Sequence, residues 1–188
     1  EKLRLVEKIS RGVASLNAIV GNLLDYTRSV SLNQMEVDPE FIIEETIHDL
    51  KTDVKLENHK IKIEKGSKQL YVNADPFLFR QIVFNLIKNA LQASPSGGRI
   101  WISMDGGSSK GFTLNVSDDG PGIPDNVGQK LFTPFYTTKT NGTGLGLATV
   151  KKLTELHGGK VSFKNRPEGG AVFTVEIPDV KKGELNES

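Results

Sequence analysis

The chain has 188 residues, 37% of them hydrophobic, and its 24 lysines and arginines nearly balance 23 acids for a formal net charge of +1. That length supports one full core with a small appendage, and the charge balance gives no reason to expect nucleic acid or an anionic membrane surface as partner. The lack of cysteine removes disulfides, thiolate catalysis and cysteine-ligated metals and fits a reducing, cytoplasmic compartment, while no apolar run approaches the roughly 20 residues needed to cross a bilayer.

The opening stretch, EKLRLVEKIS, has no signal-peptide core, and its start in mid-helix pattern without Met suggests a piece of something longer. From Leu3 to Thr27, Val6, Ile9, Val13, Leu16, Val20 and Leu23 recur at alternating steps of three and four, with Leu5, Gly12, Ile19 and Tyr26 repeating at seven beside them. This predicts one long coiled-coil-like helix whose apolar stripe needs a partner helix. Residues 1–32 therefore form an appendage to a domain at 33–180, with a charged, frayed tail at 181–188.

Asp38-Pro39 predicts a helix start, with the helix running to about Leu56, and short strands follow at 61–65 and 69–73. A second capped start, Asp75-Pro76, opens the strongest helix, through Phe79, Ile82, Val83, Leu86, Ile87, Ala90 and Leu91. Strands at 99–105 and 112–118, a glycine-rich region, a helix from about Thr143 to Leu156 and strands at 160–164 and 171–177 complete the chain. Three helices and about six strands predict an α/β fold, one mixed sheet covered on one face by helices.

Three segments carry chemistry. On the helix from Asp75, Asn85 and Asn89 are four apart, so their amides share a face, and an amide oxygen is a suitable hard ligand for Mg²⁺. Buried asparagines also serve simply to bond neighbouring loops. Next, the strand ending at Asp118 runs into Asp119-Gly120-Pro121-Gly122, a sharp turn that lets a flat group approach the backbone; Asp118 can accept a hydrogen bond from an exocyclic amine such as adenine's. A plain hairpin turn is the ordinary alternative. Third, Gly142, Gly144 and Gly146 precede a helix, where exposed backbone amides and partial positive charge suit phosphate. The spacing is neither a Walker A loop nor a Rossmann fingerprint. Between the last two segments, Phe132, Phe135 and Tyr136 mark a loop with aromatic anchors, and Lys139 is placed to reach a phosphate.

Taken in order, N-L-I-K-N-A (85–90), D-D-G-P-G-I (118–123), F-T-P-F (132–135) and G-T-G-L-G-L (142–147) resemble the N, first glycine, phenylalanine and second glycine boxes of sensor histidine kinases, most closely the nitrogen-regulation type. The resemblance covers about residues 37–178 and implies a catalytic ATP-binding domain, a Bergerat-type two-layer sandwich. It implies Asn89 as principal Mg²⁺ ligand with Asn85 assisting at metal or phosphates, Asp118 on the adenine amine, and Gly120 and Gly122 making room for base and ribose. Thr143, Gly144, Leu145, Gly146 and Leu147 would lie along the phosphates, with Lys139 and Thr138 near the γ-phosphate. Lys88, Ile123, Phe132 and Gly142 complete the implied ATP site, and Asn85 and Lys139 its catalytic pair.

The helix before residue 32 resembles the second helix of the dimerisation and phosphotransfer hairpin, which implies a homodimer in the full-length protein. The phosphoaccepting histidine would lie on a helix outside this sequence, and an aspartate of a response-regulator receiver domain would be the onward partner. His48-Asp49-Leu50-Lys51-Thr52 superficially matches an acceptor pattern but sits inside the first helix of the ATP domain with no proline following. His157 ends a helix before Gly158, where an imidazole suits the dipole. Gyrase- and chaperone-type ATPases resemble the same boxes but carry a water-activating glutamate where this chain has Asn85, and an amide is no base.

Overall fold

The computed structural model describes residues 31–51, 58–64, 70–107, 111–128, 130–139 and 142–178, together with Val6, Ile9, Ser10, Gly12, Val13, Leu16, Val20, Gly21, Leu23, Leu24, Tyr26 and Thr27. The last set is helical at every described position, as the seven-residue pattern requires. The expectations for Leu3, Leu5 and Ile19, for the helix between Lys51 and Leu56, for Lys65 and Gln69 at strand ends, and for the tail lie outside the described residues.

Two aspartates start the first two helices of the domain. Asp38 Oδ1 accepts from the amides of Glu40 (2.9 Å) and Phe41 (3.2 Å) ahead of α1 (Pro39–Lys51). Asp75 Oδ1 accepts from Phe77 (3.0 Å) and Leu78 (3.1 Å) ahead of α2 (Pro76–Ala93). Each side chain satisfies amides that a first helical turn leaves without partners, and each is followed by a proline whose missing N–H is no loss there. The stripe Phe79, Ile82, Val83, Leu86, Ile87 and Ala90 of α2 is almost fully buried. It packs against the sheet, with α1 and α4 (Gly146–Leu156) on its flanks.

The main sheet has five strands in the order β2 (Lys60–Glu64), β4 (Arg99–Gly107), β5 (Gly111–Asp118), β7 (Ala171–Ile177), β6 (Lys160–Asn165). The β2–β4 pair is parallel and the rest antiparallel, so the sheet is mixed as predicted. Along β5, Phe112, Leu114, Val116 and Asp118 face the helices and are buried, while the residues between them are only half-buried. The period of two thus delivers Asp118, an acid, to the core side of the sheet's end.

Three expectations need correction. The strand predicted at 69–73 is β3 (Val72–Ala74), and it lies outside the main sheet, paired with an unpredicted strand β1 (Met35–Val37) with Met35 opposite Ala74. The last helix begins at Gly146 rather than Thr143, because Gly144 at φ 67° bends the chain in the left-handed region first. A one-turn helix α3 (Asp125–Gly128) follows the aspartate–glycine turn.

His157 does more than complement a dipole. Buried at the end of α4, it donates from Nδ1 to the Leu153 carbonyl (2.7 Å) and accepts at Nε2 from the amide of Asp75 (3.1 Å). Asp75 Oδ2 in turn accepts from the amide of Asn33 (3.1 Å). The end of α4, the start of α2 and the segment before β1 therefore meet at one buried polar joint.

Candidate functional site

Four segments enclose a cleft of about 680 Å³: one face of α2, the turn after β5, the loop through Tyr136–Lys139, and residues 142–147 entering α4. The volume is that of an ordinary small-molecule pocket. Asn85, Lys88, Asn89, Asp118, Gly122, Ile123, Thr138, Lys139, Gly142, Thr143, Gly144, Leu145, Gly146 and Leu147 line it, so the sequence-predicted site residues converge on one space. Gly120 and Phe132 are the two that do not.

Both have structural work. A Cβ on Gly120 would stand 2.7 Å from the Ala93 carbonyl oxygen, so the missing side chain makes room for the end of α2. Phe132 lies edge-on to Phe173 (centroids 6.5 Å apart) and beside Phe163 (6.3 Å), anchoring the loop on the sheet.

Asp118 is 2% exposed, and its Oδ1 accepts from the amides of Gly120 (3.0 Å) and Ala171 (3.3 Å). Burial raises its pKa above the ordinary carboxylate value; those two amides and the Arg166 charge pull it back, and Asp119 pushes it up. A carboxylate has lone pairs for more than the two amides, so it keeps capacity to accept from a ligand amine.

Asn85 donates from Nδ2 to the Gln81 carbonyl (2.9 Å). Its Oδ1 faces the start of α4, where a Cβ on Gly146 would be only 3.1 Å away. No side chain caps that helix start, at Leu145, which leaves the first-turn amides suited to an anion. Lys139 crosses the cleft to α2, its Nζ donating to Asn89 Oδ1 (2.8 Å) and Gln92 Oε1 (2.9 Å). Burial lowers the Lys139 pKa, as does Lys88, against the opposing pull of Asp118. Asn89 Oδ1 thus already holds one cation, an ammonium, and the pair of hard neutral oxygens on Asn85 and Asn89 fits Mg²⁺.

The loop is fastened at Gly144. Phe135 donates its amide to the Gly144 carbonyl (3.0 Å) while holding φ at 65°, a strained value for a bulky residue, and the Phe135 backbone occupies the space a side chain at 144 would need. Two contributors escaped the sequence reading. Asn165 clamps the backbone of Ile123, accepting its N–H and donating to its carbonyl, both at 2.8 Å, and Arg166 donates to the Asp118 carbonyl at 2.9 Å. Their stretch, NRPEGG, looks like a mere turn; polar groups flanking a double glycine were the one available signal.

A mixed sheet with helices on one face and a cleft between an asparagine helix, an aspartate–glycine turn and a glycine-rich helix start is the Bergerat-type architecture. The chain belongs to the histidine kinase-, DNA gyrase B-, and HSP90-like ATPase family, whose pattern matches residues 74–181. Within that family it is an ATP-binding catalytic domain of the histidine-kinase kind, 35% identical to the catalytic domain of histidine kinase ThkA (TM-score 0.70, 78% of this chain and 95% of that one). It is similar also to the sensor histidine kinase ZraS of Salmonella typhi, 29% identical over 182 residues, which are 97% of this chain and 39% of ZraS. A larger ThkA structure, in complex with response regulator protein TrrA, matches at 30% identity and TM-score 0.78 over 94% of this chain and 51% of that one. The chain therefore spans well under half the length of ZraS. No helix among the described residues is long and apolar enough to cross a membrane.

Proposed function

We propose that this chain transfers the γ-phosphoryl group of ATP to a histidine on a helix outside it, from which the group passes to an aspartate of a response-regulator receiver domain. The carrying observation is the amide at Asn85. It lines the cleft beside the start of α4, where a hydrolase of this family would keep a carboxylate base, and its side chain is committed to Gln81. An amide cannot activate water, so the arrangement suits delivery to another nucleophile. None of the chain's three histidines lines the cleft.

In this reading Asp118 accepts the adenine amine, Gly122 and Ile123 flank the base, and the backbone from Gly142 to Leu147 with the uncapped start of α4 receives the phosphates. Lys139 leaves Asn89 as the nucleotide enters and turns its ammonium to the γ-phosphate. Asn89 with Asn85 would hold Mg²⁺, which would neutralise phosphate charge. Catalysis is then mainly positioning and electrostatics. Residues 1–32 form the second helix of a dimerisation and phosphotransfer hairpin, pairing with a second copy, and 33–180 the catalytic domain. The ThkA complex with a response regulator supports the onward partner.

With labelled ATP and Mg²⁺ the chain should neither label itself nor release phosphate appreciably, yet it should label a supplied helical hairpin bearing the histidine. Rapid phosphate release abolished by Asn85→Ala would overturn the kinase reading in favour of an ATPase.

A further inference from the structure

The turn between β6 and β7 lies directly on the backbone of Asp118. Arg166 N–H donates to the Gly170 carbonyl (3.0 Å) and Gly169 N–H to the Arg166 carbonyl (3.1 Å), with Gly169 and Gly170 at φ 98° and 84°. A side chain on Gly170 would overlap the Asp118 carbonyl, so the double glycine is what allows the turn to sit so close. The Arg166 side chain is 22% exposed. Its guanidinium lies over the Trp101 ring, 4.3 Å from the centroid, and Nη1 donates to the Asp118 carbonyl at 2.9 Å. Trp101 also carries Arg99 (5.1 Å), which is paired with Asp119, its Nε 3.5 Å from Oδ2, while Arg166 Nη2 lies 3.9 Å from Oε2 of the exposed Glu168 on its own turn. Stacking fixes the plane of the Arg166 fork, which a lysine in its place would lack.

We propose that Arg166 is a positioning and base-selecting residue: it locks the Asp118 backbone from behind and keeps its carboxylate a pure acceptor, which takes an exocyclic amine and rejects a keto oxygen. The inference rests on the assignment of Asp118 to adenine made above and adds what enforces it. An ionised carboxylate only accepts, whereas a protonated one can donate to a carbonyl; adenine offers an amine where guanine offers O6. The charges that act on Asp118 are Arg166 from the β6–β7 turn, Asp119 beside it and Lys139 from the loop across the cleft. Asp119 works against ionisation, and Lys139 is held by Asn89 and Gln92. Arg166 is the cation anchored to Asp118 itself.

The test uses the full chain, with ADP and GDP affinities measured by calorimetry without metal from the most acidic pH at which the chain stays folded up to about pH 8, since Asp118 titrates above the ordinary 3.8. In Arg166→Gln the midpoint at which ADP affinity falls on acidification should move up, with a loss of ADP affinity on the acid side and a reduced ADP-over-GDP ratio there, while the Gly120 and Ala171 amides still hold the carboxylate. Arg166→Lys, which keeps the charge but not the stacked fork, should keep the unaltered midpoint even if its ADP affinity is lower at every pH. A purely structural role would instead lower the ADP affinity of the glutamine variant by one factor at every pH with no displaced midpoint, or displace the lysine variant's midpoint as far as the glutamine one's, and either result overturns the proposal. Should Arg166→Gln not fold, a displaced midpoint in Arg166→Lys overturns it alone. Failure of the unaltered chain to bind ADP at all would strike instead at the nucleotide site.

Discussion

Asp118 shows how one side chain can serve function at the expense of stability. Its pKa in the folded chain is raised above the ordinary 3.8, first by burial. The folded state therefore holds that proton more tightly than the unfolded state does. The contribution is favourable below the ordinary value and is lost as pH rises through the raised one, so at neutral pH the ionised carboxylate costs stability. Asp118→Asn keeps an oxygen for the Gly120 and Ala171 amides while removing the buried charge. The variant should melt no lower than the unaltered chain near neutral pH, and its stability should vary less with pH above 3.8. Its ADP affinity should nonetheless fall about 10- to 100-fold, the loss of a hydrogen bond to a charged acceptor. Melting curves beside calorimetry check both halves; unchanged affinity would remove Asp118 from the adenine contact.

Among the elements, α2 was legible to the residue because everything that makes it is local: a capping aspartate, a proline at the first turn and an apolar period of 3.6. Strand β1 and its pairing with β3 were not, although a strand at 69–73 was. Three-residue strands carry no period to speak of, and nothing in MEV or VNA states which strand each will find. The site divides in the same way: the boxes that line the cleft are contiguous motifs, whereas the Lys139–Asn89 bond spans 50 positions and the Arg166–Asp118 bond 48. His157 is the sharpest instance. Local sequence offers a helix end before a glycine, and only the fold brings Asp75 to its Nε2. This joint yields a prediction for α4 as an element. His157→Ala leaves the Asp75 amide and the Leu153 carbonyl without their side-chain partner and opens a cavity, at a cost of about 3 kcal/mol. The melting temperature should fall by about 6–12 °C. Asn85 lies ten residues further along α2, roughly 15 Å away, so ADP affinity of the folded variant should change less than about threefold. A melting point within error of the unaltered chain would show the joint to be idle.

For the whole molecule, the decisive feature is the apolar helix ahead of the domain. Val6, Ile9, Val13, Leu16, Val20 and Leu24 are each more than half exposed. A monomeric protein seldom leaves so continuous an apolar stripe in water. The catalytic domain does not cover it, although it does hold its end: Lys152 on α4 donates to the Tyr26 carbonyl and lies 5.2 Å from the centroid of the Tyr26 ring. The same helix α4 that begins at the phosphate side of the cleft is thus tied at its middle to the stripe-bearing helix. Pairing of two such stripes around a two-fold axis would bury them and fix each cleft relative to the bundle. Sedimentation should then show concentration-dependent dimers. The double substitution Leu16→Glu, Val20→Glu places like charges in the seam and should give monomers. ADP affinity in that variant should stay within about twofold, because neither residue lines the cleft. Monomers of the unaltered chain at every concentration would mean that the stripe is covered by some other helix, and that a second copy is not what completes it.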